Sequence, residues 1–396
     1  MTLEDTDRIF QCPFCRVRLA FQATPHFTYV LPAKNVKPLH PLTYLPYWRF
    51  RGFTFVLDTQ KLHHHILDVN TAAATVCGIP SSLGLRPQAV PMSFYTPMIP
   101  GTFLQPQVSW KGFLKSMGLG LKSRLKEPAS QMTYHAFIGE SVSLIYAPFF
   151  KQQGKMHDAV TGRALKPWPE ELSRAVEGTN PESRLHFLPT LCPRCGGDME
   201  GERDALVLRC QTCSEFWEMT ECEWHSLEVA WIPGGTQETV WAPFWVLDVA
   251  AQGFPLETFD DFLTLTRAPI IRMTKKAETP FHFWIPAFKI APQFFLRAAR
   301  AATVHQPDTV TEQAVPFKAL YPVTLPSVEA FQACPILLGA FSPSKEELLP
   351  KIRQGRLAFR GKRLAYVPLR RLSSEWLMEP FGIALPMHTL RWGRTL

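Results

Sequence analysis

Apolar and polar residues alternate over short stretches along much of this chain, as in PYWRFRGFTFVL after Leu45 and APFWVLDV after Trp241. A period of two is the pattern of strands, whose side chains point in turn to the two faces of a sheet. One signature returns six times, an aromatic residue, an aliphatic one and then proline. Its copies are Tyr44-Leu45-Pro46, Tyr146-Ala147-Pro148, Trp231-Ile232-Pro233, Trp241-Ala242-Pro243, Trp284-Ile285-Pro286 and Tyr366-Val367-Pro368. Proline has no N–H to give to a ladder, so these positions are expected at strand starts, edges or bulges. Pro46, Pro148 and Pro243 fall roughly a hundred residues apart, which suggests a duplicated β-rich unit. Buried rings bracing sheet edges account for the same clusters without duplication.

Helical patterns are fewer. Ser344 followed by Glu347 makes a capping box ahead of Leu348 and Leu349, and Pro292 opens a second helix running to Val304. In WKGFLKSMGLGLKSRLKEP the residues Phe113, Met117, Leu121 and Leu125 recur every fourth position, with Lys111, Lys115, Lys122 and Lys126 elsewhere. This segment, 111–126, reads as a basic amphipathic helix weakened by Gly112, Gly118 and Gly120. Its apolar face serves either the protein's own core or a membrane surface or partner. PWPEELSRAVEGTNPES, beginning at Pro167, predicts a short helix that runs into a polar linker ending near Pro181.

The chain has 396 residues, 46% of them apolar, which places it among globular proteins with two or three cores. No uncharged run approaches the roughly eighteen residues needed to cross a bilayer, and no leader pattern precedes the acidic start MTLEDTDRIF. From Lys351 to Leu396 ten Lys or Arg face only Glu375 and Glu379, so this tail carries the entire net charge of +8. Within it, Arg356–Phe359 and Leu364–Val367 flank Arg360-Gly361-Lys362-Arg363, which reads as a hairpin with a basic turn. Such a turn either contacts phosphates or simply faces water.

Nine cysteines include three C-x-x-C pairs, a spacing suited to metals or redox chemistry more than to a disulfide framework, and so to a reducing cytoplasm. Cys192 and Cys195 precede Cys210 and Cys213, and the segment between them has the length of a hairpin that returns the second pair toward the first. Gly196 and Gly197 follow the first pair, where the backbone must turn sharply. The stretch from Leu191 to Trp217 resembles the zinc-ribbon family. That resemblance implies one structural Zn²⁺ held by Cys192, Cys195, Cys210 and Cys213, with no open position for catalysis. A redox dithiol or a rubredoxin-like iron site is compatible with the same knuckle.

Cys12-Pro13-Phe14-Cys15 looks like the first knuckle of another ribbon and is a second metal candidate. No second C-x-x-C follows within reach, and His26, His40, His63, His64, His65 and Cys77 are the candidate completing ligands. The plain reading of KLHHHILDV is a strand with one wet side, and Cys222 with His225 is at most a spare pair. Asp260 with Asp261, and Glu170 with Glu171, read as solvated neighbours. There is no G-x-S-x-G elbow, P-loop, H-E-x-x-H or dinucleotide fingerprint.

The expected architecture is mainly β with some α (α+β): a β-rich domain over 1–185, a zinc ribbon over 186–235 and a second β-rich domain over 236–396. The expected role is a non-catalytic zinc-binding scaffold or accessory subunit of a multiprotein complex, for instance a cytoplasmic subunit docked on a membrane redox complex. Eleven tryptophans favour protein partners. The alternatives are a nucleic-acid-binding ribbon protein using the basic tail 351–396, and a metalloenzyme using the N-terminal Cys/His cluster. No small-molecule substrate is indicated.

Overall fold

The computed structural model describes residues 6–394 apart from 13, 25, 35–39, 125–133, 175–183, 237–238, 270–277 and 312–314; for 118–124, 140–141 and 174 it describes the backbone alone. The expected linker toward Pro181 lies outside the described residues, as do Leu125 and Lys126.

The chain is β-rich, as its alternating pattern predicts. It opens with a hairpin of β1 (Ile9–Gln11) and β2 (Arg18–Thr24). There follow β3 (Phe27–Val30), β4 (Thr43–Leu57), β5 (Leu62–Ala72), α1 (Arg86–Ala89), β6 (Ser93–Phe94), β7 (Thr102–Phe103), α2 (Trp110–Arg124), β8 (Tyr134–Gln152), β9 (Lys155–Asp158), β10 (Ala164–Pro167) and α3 (Glu170–Arg174). β11 (Arg184–Pro189) then returns to pair with β2. β12 (Met199–Glu200), β13 (Val207–Cys210), β14 (Phe216–Thr220) and β15 (Glu223–Leu227) make a four-stranded antiparallel sheet in that order. The rest comprises β16 (Val229–Trp231), β17 (Val240–Gln252), α4 (Phe259–Thr266), β18 (Phe283–Pro286), α5 (Pro292–His305), α6 (Ser327–Gln332), α7 (Cys334–Phe341), α8 (Lys345–Gln354), β19 (Arg356–Arg371), β20 (Glu375–Met378), β21 (Ile383–Pro386) and α9 (Met387–Gly393).

Two sheets share one plan. In the first, β8 lies between parallel β3 and antiparallel β4, β5 flanks β4, and β9 and β10 continue from the far end of β8. In the second, β19 lies between parallel β16 and antiparallel β17, β18 flanks β17, and β20 and β21 continue from the far end of β19. The signatures meet in the same register in both: Tyr44 faces Pro148 and Pro46 faces Tyr146, as Trp241 faces Pro368 and Pro243 faces Tyr366. The period is therefore roughly two hundred residues, with Pro46 matching Pro243 and Pro148 matching Pro368. Pro46 and Pro148 are facing partners within one unit, which replaces the interval of a hundred read from the sequence.

These four prolines sit inside central strands, where edges or strand starts were expected. The Pro46 carbonyl accepts from Ala73 and the Pro148 carbonyl from Ala159, so both residues direct their backbone polar groups away from the β4–β8 ladder. On that outer side Pro148 falls between the last β3 pair, at Tyr146, and the first β9 pair, at Phe149. Pro368 falls likewise between the last β16 pair, at Tyr366, and the first β20 pair, at Leu369. A missing N–H costs no rung where one neighbouring strand stops and the next begins.

The helices pack on this frame. α2 forms where the four-residue spacing predicts, and Phe113 is buried with half-buried Trp110, Leu114 and Met117 against the first sheet, so its described apolar face serves the protein's own core. α5 begins at Pro292 and hydrogen-bonds its Thr303 hydroxyl to the backbone of Trp284 in β18. α8 begins after Ser344, yet no side-chain cap forms there; the Glu347 carboxylate is drawn out to Arg267 instead. The capping box occurs at α4, between Thr258 and Asp261, which gives Asp261 a structural task that its sequence position did not suggest.

The expected hairpin at Arg360–Arg363 is absent. β19 runs through it without a turn and pairs with β17 along its length, shifting register between Asp248 and Val249. The cations are met by acids from other elements: Arg360 by Glu257 and Lys362 by Glu218. One hydrophobic cluster joins the second sheet and its helices to Phe53, Phe55, Leu57, Ala136 and Ile138 of the first. At its centre α7 presents Gly339 to Leu57, and a Cβ there would overlap the leucine side chain. Gly339→Val is expected to destabilise the protein by about 1–3 kcal/mol through overpacking, measured by thermal denaturation with metal content unchanged.

Candidate metal centre

Each C-x-x-C pair here is a turn with the same internal bonding. Cys192 N–H donates to the Gly197 carbonyl at 2.8 Å and Gly196 N–H donates to the Cys192 carbonyl at 2.8 Å. Cys210 repeats this with Glu215 and Ser214, at 2.8 and 3.1 Å. The residue after the second cysteine is left-handed in both, Gly196 at φ 74° and Ser214 at φ 62°. This curl turns both sulfurs of a pair to one side. Gly197 is fixed by contact: a Cβ there would overlap the Thr212 side chain from the opposing turn.

The strands bring the two turns together. β12 pairs with β13 through Met199 and Cys210, and an isolated bridge joins Leu191 to Asp198. The Cys192 and Cys213 sulfurs are 3.6 Å apart and those of Cys195 and Cys210 3.5 Å, with all four within 4.8 Å of one another. A disulfide would need about 2.05 Å. A tetrahedron with metal–sulfur bonds of about 2.3 Å has edges of about 3.8 Å, so the donor set fits a metal ion. Cys192 and Cys210 are buried, Cys213 is half-buried and Cys195 is exposed.

The electrostatics agree with that geometry. Burial pushes the Cys210 thiol up, but N–H groups of Cys213 and Thr212 directed at its sulfur overcome this and bring it down to about 6. The Glu215 N–H favours the Cys213 thiolate, but burial and the neighbouring thiols together outweigh it and push Cys213 up to about 12. A divalent cation among the sulfurs favours their thiolate forms, so metal binding and thiol ionisation are linked.

The module is bonded on both sides. The Arg203 carbonyl accepts from the N–H groups of Arg8 and Ile9 at 2.7 and 2.9 Å, and Ile9 packs with Cys192, Met199, Leu208, Cys210 and Trp217. Toward the second sheet, Leu206 N–H donates to the Val323 carbonyl at 2.8 Å, Arg209 Nη1 donates to the Val315 carbonyl at 2.9 Å, and Glu218 pairs with Lys362. Arg394 Nε donates to Asp204 at 2.8 Å.

Cys12 and Cys15 sit at the tip of the β1–β2 hairpin and repeat the same turn. Cys12 N–H donates to the Val17 carbonyl and Arg16 N–H to the Cys12 carbonyl, both at 2.9 Å, with Arg16 at φ 58°. The pair matches Cys210 and Cys213 on the β13–β14 hairpin, so the parallel between the units extends to their cysteine turns. Among the described residues the four-cysteine group is the one set of three or more converging metal donors, and none of the candidate completing ligands joins Cys12 and Cys15. His63 lies 3.2 Å from Asp58, His64 and His65 continue β5 beside β4, Cys77 is exposed, His26 meets Trp48 edge to face, and His40 stacks on Phe150. Cys222 N–H donates to Gln22, and His225 lies exposed on β15.

Sequence reading missed a cavity of about 210 Å³ lined by Arg8, His26, Asp204, Lys289, Glu329 and Arg394. These residues are far apart in the chain and form no motif; the one local signal is Lys289, a lone charge in IPAFKIAP. Among the described residues no helix is long and apolar enough to cross a membrane. No family model, no curated protein and no solved structure matches this chain at a significant level.

Proposed function

We propose that this protein is a zinc-binding scaffold, an accessory subunit of a multiprotein complex in the cytoplasm, in which a zinc ribbon built on Cys192, Cys195, Cys210 and Cys213 clamps two sheet units together. The observation that carries this reading is the closed four-sulfur set, hydrogen-bonded on one side to the β1–β2 hairpin and on the other to the second sheet. Four thiolates fill the coordination shell of Zn²⁺ and leave no place for a reacting water, so the ion serves structure. Zinc is preferred over iron because it takes this tetrahedron without redox chemistry.

The partner-facing surface in this reading is the three-stranded sheet of β1, β2 and β11. Phe14 is 93% exposed and Phe187 53%, with Val17 and Leu191 also exposed close by. Large apolar side chains gathered at one end of a sheet mark an interaction site more often than a solvated face. The tail cations Arg360, Lys362, Arg370 and Arg394 are each paired with a carboxylate of this chain, which favours a protein partner over nucleic acid.

The test is native mass spectrometry of the tagged full-length protein from soluble and membrane fractions of its own cell. Stoichiometric protein partners and tightly held zinc are expected. The Phe14→Ser/Phe187→Ser double variant is expected to keep its metal and melting temperature while losing those partners. A chain that emerges alone, or with an exchangeable iron, would overturn the scaffold reading.

A further inference from the structure

The cavity at the seam of the fold combines a buried lysine with an imbalance of charge. Lys289 is 7% exposed and sits between β18 and α5. Its backbone is fixed, since its N–H donates to the Thr324 hydroxyl at 3.0 Å and Gly393 packs directly on its carbonyl. Among the described residues no hydrogen bond or ion pair reaches its ammonium group. A buried cation is costly to keep without a partner, and where one persists a ligand commonly supplies the missing charge.

Among the described residues the cavity wall has three cations, Arg8, Lys289 and Arg394, against two carboxylates, Asp204 and Glu329. Arg394 and Asp204 satisfy each other through two bonds of 2.8 and 2.5 Å. Burial pushes His26 down to about 4, so this ring adds no charge at neutral pH. Arg51 adds a further positive field at Lys289, and burial together with these cations brings the lysine down to about 8 against the pull of Glu329. Among the described lining residues cations outnumber carboxylates, and the volume of about 210 Å³ suits a small oxyanion.

We propose that this cavity binds a small anion bearing a phosphate or carboxylate group, with Lys289 as its central donor. The site draws residues from the β1–β2 hairpin, the four-cysteine module and the second sheet unit, so a bound anion ties all three together. Glu329 opposes the ligand and sets its affinity.

Calorimetric titration of the full-length, metal-loaded protein with inorganic phosphate and with succinate, at constant ionic strength in chloride, tests this. Saturable binding of one of them is expected, and which one distinguishes a phosphate ligand from an organic acid. Lys289→Met is expected to weaken that binding at least tenfold, while Glu329→Gln is expected to strengthen it several-fold. Opposite signs at the two positions distinguish a site from a general loss of folding, and Glu329→Gln still decides the matter if Lys289→Met folds poorly. No binding above the chloride background, or equal binding by all three proteins, overturns the proposal.

Discussion

Replacing Cys210 by Ser is expected to remove the metal of the four-cysteine centre and to unfold at least the segment from Thr190 to Leu227. Cys210 is 1% exposed and carries both a rung of the β12–β13 pair and two N–H contacts to its sulfur. Structural zinc contributes about 10–16 kcal/mol of apparent binding energy in isolated finger peptides, while whole domains are stable by about 5–15 kcal/mol. Loss of one thiolate from such a centre therefore exceeds what the module's small core can offset. Elemental analysis, near-ultraviolet circular dichroism and limited proteolysis read the outcome. Cys15→Ser is the companion variant: its exposed turn lies outside the centre, so the metal of the four-cysteine set and the melting temperature are expected to persist. A drop from two ions to one in that variant would show that Cys12 and Cys15 hold an ion of their own. A Cys210→Ser protein with full metal content and unchanged stability would refute the structural role of the centre.

The second large effect is expected where the module meets β19. Glu218 is 5% exposed and pairs with Lys362, while Lys362 also donates to the Ser327 hydroxyl at 2.8 Å and lies 5.4 Å over the Trp245 ring. Lys362→Met strands a buried carboxylate, and such an uncompensated charge costs about 3–5 kcal/mol. Glu218→Leu combined with Lys362→Met removes both charges together and is expected to recover most of that loss, because a buried pair replaced by apolar groups is often near neutral. Chemical denaturation of the two single variants and the double variant gives the coupling directly. Additive losses would mean that the pair contributes only as separate surface charges.

The contrast between Lys362 and the cysteines shows where sequence reading succeeds. C-x-x-C turns are local, and their geometry is set within six residues, so the converging set at Cys192, Cys195, Cys210 and Cys213 is legible in advance. The starts of α5 at Pro292 and of α8 after Ser344 are local in the same sense. Arg360-Gly361-Lys362-Arg363 failed because three charged residues around a glycine look like a hairpin tip when their partners are out of view. Glu257 and Glu218 supply those partners from positions far away in the chain, and β19 takes up Arg360 as a bulge between the Gly361–Asp248 and Phe359–Val249 pairs. The prolines failed for a related reason. Proline is excluded from a ladder only where its missing N–H was needed, and that depends on where neighbouring strands end. The repeat of about two hundred residues was obscured because equivalent signatures also face each other within one unit, which halves the apparent interval.

The connectivity also orders the assembly of this chain. Pairing Val229 with Leu364 and Tyr47 with Ile145 closes long loops, whose entropic cost must be met before the sheets gain from their contacts. The hairpins carrying the cysteine turns close within a few residues, so they are the first elements able to persist. The first sheet begins with β3, directly after β2 of one such hairpin, and the second with β16, one strand (β15) beyond the β13–β14 hairpin; each then waits for its central strand to arrive from far down the chain. The cysteine turns are thus placed to act as anchors from which the slow, long-range half of folding proceeds, and a cell short of metal would meet this protein first as a nascent chain whose four-cysteine anchor had not yet closed.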